Sequence, residues 1–135
     1  MRVFLDTNVL VAAFATRGLC ADVLRTILAE HELLSSATVC EELTRVLVQS
    51  IRVPEATVRE IAAFVRASAF PAGPADPPPV RIRDPDDAVI LSEALALRAA
   101  VLVTGDKDLL EAGEVPGISI LDPRGFWPLV RGKAT

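Results

Sequence analysis

Short apolar runs alternate with helical stretches along nearly the whole chain, and that alternation calls for a largely parallel β-sheet covered by helices on both faces. Arg2 to Leu5 reads as a first strand, with Asn8 capping a helix through about Ala15. Gly18 breaks that helix. Val23, Leu24, Ile27 and Leu28 have amphipathic spacing within a helix from Ala21 to His31, and Glu32 to Ser35 is a brief second strand. Ser36 or Ala37 to Gln49 is helical, and Pro54 opens another helix to about Ala67. Pro71 to Pro79 holds five prolines and one glycine, so it is an irregular connection. A third strand lies on one side of it, either near Ala69 or at Val80 to Ile82. Asp84-Pro85-Asp86-Asp87 begins a helix to about Ala99, and Ala100 to Val103 is a buried strand by its apolar, β-branched character. Gly117 to Leu121 makes a last strand and Pro123 to Val130 a closing helix. There is no internal repeat. Residues 1–130 are expected to form one domain and residues 131–135 a frayed tail.

Composition narrows the function classes. A chain of 135 residues is long enough to bury roughly two thirds of its unfolded surface without a staple. Cys20 and Cys40 lack CxxC spacing, and His31 is the sole histidine, so soft ligands alone cannot complete a zinc tetrahedron. Two buried free thiols in a reducing compartment are the simpler reading. Arg2 and the Ala13-Phe14-Ala15 triplet imitate a signal peptide, but Asp6 and Asn8 interrupt the apolar segment. Val9 to Ala15 is also far short of the roughly 20 residues of a membrane span. The expectation is a soluble cytoplasmic protein with no membrane partner. A net charge of −4 argues against a protein that coats nucleic acid through many Lys and Arg contacts. It leaves room for an enzyme that meets phosphate through bound cations, with Arg17, Arg45, Arg52, Arg81 and Arg83 available to steer the rest of a strand.

Four acids fall where strands end or helices begin, the edge at which open α/β sheets bind ligands. Asp6 follows the first strand; it can serve as a cap or turn residue, although Asn8 is available for that task. In the third helix, Val39, Cys40, Leu43, Val46 and Leu47 define the buried stripe. Glu42 borders that stripe while Glu41 points almost opposite it; the structural alternative for Glu42 is an ion pair with Arg45. Asp84 can cap the next long helix, Pro85 suits its first position, and Asp86 is favoured there by the helix dipole. Asp87 instead shares a face with Ile90, Ala94 and Leu97, and an inward acid is costly without a partner. Thr104-Gly105-Asp106-Lys107-Asp108 leaves the central strand directly; Asp106 is the better site candidate, and Asp108 can cap the short helix containing Leu109 and Leu110.

If Asp6, Glu42, Asp87 and Asp106 converge, they require cations, because two like charges about 4 Å apart repel by about 1 kcal/mol even in water and by several times that in a cleft. Oxygen ligands without thiolates or a histidine cluster favour Mg²⁺ or Mn²⁺ over Zn²⁺. Such ions activate water and orient a phosphodiester.

LDTNVL at 5–10, EELTRVL at 41–47, RDPDDAVILSEAL at 83–95 and VTGDKDLL at 103–110, in this order, resemble the PIN-domain nucleases, specifically the toxin component of bacterial toxin–antitoxin pairs such as the VapC-like ribonucleases. The likeness runs nearly end to end. It implies a three-layer α/β/α sandwich, Mg²⁺- or Mn²⁺-dependent cleavage of single-stranded RNA, a small antitoxin partner and a homodimer. It assigns metal-binding, catalytic carboxylates to Asp6, Glu42, Asp87 and Asp106, nearby polar support to Asn8 and Thr104, and an outer position to Asp108. The proline-rich connection at Pro71 to Pro79 departs from the pattern.

Two other classes compete with this reading. One is a PIN-like module that binds RNA or a protein without turnover. The other is phosphotransfer through an aspartyl-phosphate on Asp6, which fits poorly because Asn8 stands where a haloacid-dehalogenase-like phosphatase would carry a second Asp. The RNA target is not encoded by four carboxylates, since base recognition depends on groove shape and unstacked-base contacts.

Overall fold

The computed structural model describes residues 1–68, 70, 71, 73 and 75–131. Its centre is a sheet of four parallel strands: β1 (Arg2–Leu5), β2 (Glu32–Leu34), β3 (Val101–Val103) and β4 (Ser119–Leu121), in the order β2-β1-β3-β4. Val3, Phe4, Leu5, Leu34, Leu102 and Val103 are all fully buried. Unbroken apolar strands of this kind belong to a sheet covered on both faces. The register pairs Phe4 with Leu34 on one side and with Leu102 on the other.

Among the described residues seven helices accompany the sheet: α1 (Thr7–Ala15), α2 (Leu19–Glu30), α3 (Ala37–Gln49), α4 (Glu55–Arg66), α5 (Pro85–Ala96), α6 (Lys107–Leu110) and α7 (Pro123–Arg131). α1 packs on α2 and α3, α3 packs on α4, and α7 spans from β4 to α2. The architecture is the three-layer α/β/α sandwich. From β1 the chain steps outward to β2, then returns to place β3 on the other flank of β1. The gap between the carboxyl ends of β1 and β3 is therefore the topological switch point, where ligands of open α/β sheets bind.

Several local expectations need correction. Val80–Ile82 forms no strand, and the alternative position at Ala69 lies outside the described residues. α1 is capped by Asp6 and not by Asn8, which sits inside the first turn. α6 is capped by Asp106 and not by Asp108. α5 stops at Ala96, before Ala99, because Arg98 takes a left-handed φ of 56° that ends the helix. α2 begins at Leu19, before Ala21. Arg131 belongs to α7, and the rest of the expected tail lies outside the described residues. No single helix among the described residues is long and apolar enough to cross a membrane.

Candidate functional site

The carboxyl ends of β1 and β3 are tied together by a short chain of hydrogen bonds. The Asp6 amide donates to the Val103 carbonyl at 3.0 Å, which prolongs the ladder by one residue beyond β1. The Asp6 side chain then accepts from the Thr7 amide through Oδ1 at 2.7 Å, closing the N-cap of α1. Its Oδ2 accepts from the Thr104 hydroxyl at 2.7 Å and from Asn8 Nδ2 at 3.4 Å. Thr104 Oγ1 in turn accepts from the Asp106 amide at 3.0 Å, and Asn8 Oδ1 accepts from the Gly105 amide at 3.0 Å. Asn8 and Thr104 thus join the loop after β1 to the loop after β3. Asp106 Oδ1 caps α6 by accepting from the Asp108 amide at 2.8 Å.

Asp6, Asn8, Glu42, Asp87 and Asp106 line one cavity of about 500 Å³. The fold therefore brings together all four acids singled out from the sequence, drawing one from each of the β1 edge, α3, α5 and the β3 edge. Glu42 is half-buried and makes no ion pair with Arg45, although both line the cavity. Glu41, read from helical periodicity as pointing away, also lines it despite being exposed, as does Asp86 at the start of α5. Glu41 is thus solvated, as helical periodicity has it, while its side chain still borders the cavity.

Burial pushes the Asp6 carboxyl above the usual carboxylate range; the bonds from Thr104 and Thr7 pull it back, and the negative charges of Glu42 and Asp106 add to the rise. Asp87 is pushed up to about 7, first by burial, then by a side-chain hydrogen bond with Asp106 and by the charges of Asp106, Asp84 and Asp6. Asp87 is 9% exposed, and its Oδ2 is buried with no hydrogen-bond partner. An orphaned carboxylate oxygen among other carboxylates fits a bound cation, and an all-oxygen donor set fits a hard one.

Asp84 was assigned a capping role from the sequence, and it does cap: its Oδ1 accepts from the Asp86 amide at 2.8 Å. Yet single oxygens of Asp84, Asp87 and Asp108 also lie within 4.8 Å of one another, the closest acidic trio among the described residues. Asp108 thus lies beside Asp87 and is weakly paired with Arg83 at 3.8 Å. Sequence reasoning missed Thr38 and Glu93. Glu93 on α5 accepts from the Ser36 hydroxyl at 2.8 Å through Oε1 and from the Thr38 hydroxyl at 3.1 Å through Oε2, which clamps the start of α3 to α5. Burial raises its pKa while the two hydroxyls oppose the rise. Nothing local flags Glu93, because both partners are more than fifty positions away in the chain.

Comparison with known proteins identifies the fold and the family. The family model of the PIN domain matches residues 2–108. A chain of the VapBC2 complex from Rickettsia felis, solved bound to a DNA fragment from the complex's promoter, superposes with a TM-score of 0.58 at 16% identity, over 89% of this chain and 97% of that one. No curated protein sequence matches the chain. With the family model covering every acid described above, the protein belongs to the PIN-domain family.

Proposed function

We propose that the protein is a metal-dependent endoribonuclease that hydrolyses phosphodiesters of single-stranded RNA as the toxin of a toxin–antitoxin pair. The observation that carries this reading is the cavity at the switch point, lined by Asp6, Glu42, Asp87 and Asp106, with one buried oxygen of Asp87 left without a partner. Those four residues would hold Mg²⁺ or Mn²⁺. When bound, such an ion lowers the pKa of a coordinated water and screens charge on the reacting phosphate.

The chain's own residues prepare the site for that task. Thr104 and Asn8 fix the Asp6 carboxylate by direct hydrogen bonds, so its orientation is set before any ligand arrives. Asp106 is held through its amide by Thr104 and through its side chain by the Asp108 amide. Arg45, exposed and among the cavity-lining residues, supplies positive charge where a strand's phosphates would enter. The named complex VapBC2 supports an antitoxin protein as partner for this chain, and a cytoplasmic location and a homodimer go with that reading.

Cleavage of labelled single-stranded RNA, double-stranded RNA and single-stranded DNA in Mn²⁺ tests the proposal. Single-stranded RNA should be cut, the other two spared, and excess chelator should stop the reaction. Asp6→Asn should abolish cleavage and weaken Mn²⁺ binding while the fold persists. Full activity of that variant, or undiminished activity in chelator, contradicts the mechanism.

A further inference from the structure

A second cavity, about 440 Å³, is bordered by α5, as the acid cavity is. Its walls include Ala75, Pro77 and Pro78 of the proline-rich connection and Val89, Ser92 and Glu93 of α5. The two cavities adjoin. Val89, exposed at 44%, lines both, and the Thr38 hydroxyl that lines the first donates to the Glu93 carboxylate that lines the second.

We infer that this second cavity is a subsite for one unstacked nucleobase of the strand whose phosphate occupies the acid cavity, with Glu93 as the acceptor that reads its edge. The inference rests on the nuclease reading and adds to it a base preference. Three features point to this occupant. The volume falls in the range of about 300–1,000 Å³ typical of small-molecule sites, and the combination of apolar walls with few polar groups is the usual make-up of such sites. Of the polar side chains in its walls, the Ser92 hydroxyl donates to the Ala88 carbonyl within α5, which leaves the Glu93 carboxylate as the acceptor for base amino groups. Its position is also fixed: Oε1 and Oε2 each accept one hydroxyl, from Ser36 and Thr38, which leaves each oxygen a further acceptor site.

The chemistry of that acceptor pair ranks the bases. Guanine presents two adjacent donors, N1–H and the 2-amino group, and uses both oxygens at once. Adenine and cytosine offer a single amino group. Uracil places carbonyl oxygens on both sides of its one N–H, and a carboxylate repels them. Guanine is therefore expected first and uracil last, with a discrimination of roughly 5- to 100-fold.

The test uses the full chain, titrated with 5′-GMP and with 5′-UMP while backbone amides are followed by NMR, beside cleavage of oligonucleotides that differ in one base flanking the cut. GMP should shift the amides of Val89, Ser92 and Glu93 and bind at least fivefold more tightly than UMP; the same base order should appear in kcat/KM. Glu93→Gln should bring the GMP-to-UMP ratio below twofold with Mn²⁺ affinity unchanged. Ala75→Trp, a loop substitution that puts a large side chain on the cavity wall, should remove GMP binding there and serves if Glu93→Gln unfolds. Equal affinity for both nucleotides, or shifts confined to residues outside this cavity, overturns the inference. Base-selective binding at α5 without cleavage of any RNA upholds it and overturns the nuclease reading; cleavage with no base order and no shifts at α5 does the reverse.

Discussion

Asp6 and Asp87 line the same cavity with the same functional group, yet the fold treats them in opposite ways. Both oxygens of Asp6 accept hydrogen bonds, from Thr7, Thr104 and Asn8, so the carboxylate is neutralised in part by the protein itself. Asp87 sits in the first turn of α5 with one oxygen buried and unpartnered, facing Asp106, Asp84 and Asp6. The β1–β3 rim is complete as folded; the α5 rim is complete only when something positive joins it. A protein that merely needed to fold would gain by replacing Asp87, which is a physical reason to read that rim as functional.

The largest expected effect separates the two residues. Asp87→Asn should abolish cleavage, by 100-fold or more in kcat on the order of other losses of essential site groups, while raising the Tm of the metal-free protein. Its pH dependence sharpens the contrast. The unfolded carboxyl ionises near 3.8 and the folded one at about 7, so between those values the folded state binds more protons. Stability of the metal-free protein therefore falls as pH rises through this window, since the slope follows the protons bound unfolded minus those bound folded. The Tm in chelator should be higher at pH 5 than at pH 8, and Asp87→Asn should flatten the difference. Asp6 and Glu93, both raised by burial, contribute in the same direction, so a residual slope is expected. A Tm that climbs with pH in wild type, or an unchanged slope in the variant, would show that Asp87 is not held neutral by its surroundings.

An intermediate effect should come from the rim that is already complete. Thr104 is fully buried and its hydroxyl both donates to Asp6 and accepts from the Asp106 amide. Thr104→Val keeps the shape and removes both bonds. The expected cost is about 1.5–3 kcal/mol of stability for a bond to a charged group, with a drop in kcat smaller than that of Asp87→Asn. Denaturant unfolding and single-turnover cleavage measure the two. If activity survives intact, Thr104 is only a packing residue.

How much of this could be read from the chain depends on whether the cause is local. Asp6 and Asp106 were legible because each follows an apolar strand directly, and strand ends of an open sheet share one edge. Asp87 and Glu42 were legible through helical periodicity, which sets the inward face of α5 and the margin of α3. The same logic misassigned the caps. Asn8 and Asp108 both have good capping chemistry, but the true N-caps, Asp6 and Asp106, lie two residues earlier because the helices start at Thr7 and Lys107, almost directly after the strands. Glu93 was out of reach for a different reason: six positions beyond Asp87, it lies about 240° around the helix, and its partners Ser36 and Thr38 arrive only through tertiary packing. Of the two positions open for a third strand, Val80–Ile82 forms none, and Ala69 lies outside the described residues.

The smallest effect concerns Arg45, which faces the cavity from α3 while remaining exposed. It tests whether the complete rim and the incomplete one share a common substrate path. A guanidinium at the mouth binds a strand phosphate in the ground state and in the transition state alike, and such uniform binding appears in KM and not in kcat. Arg45→Ala should therefore raise KM several-fold with kcat nearly unchanged, and the difference from wild type should shrink as salt is raised, because exposed charges are screened within about 8–10 Å at physiological ionic strength. Arg45→Lys should restore part of the loss, since a point charge replaces the forked donor. A fall in kcat with KM constant would place Arg45 at the reacting phosphate itself, and would move the charge that completes the α5 rim from a bound cation toward this side chain.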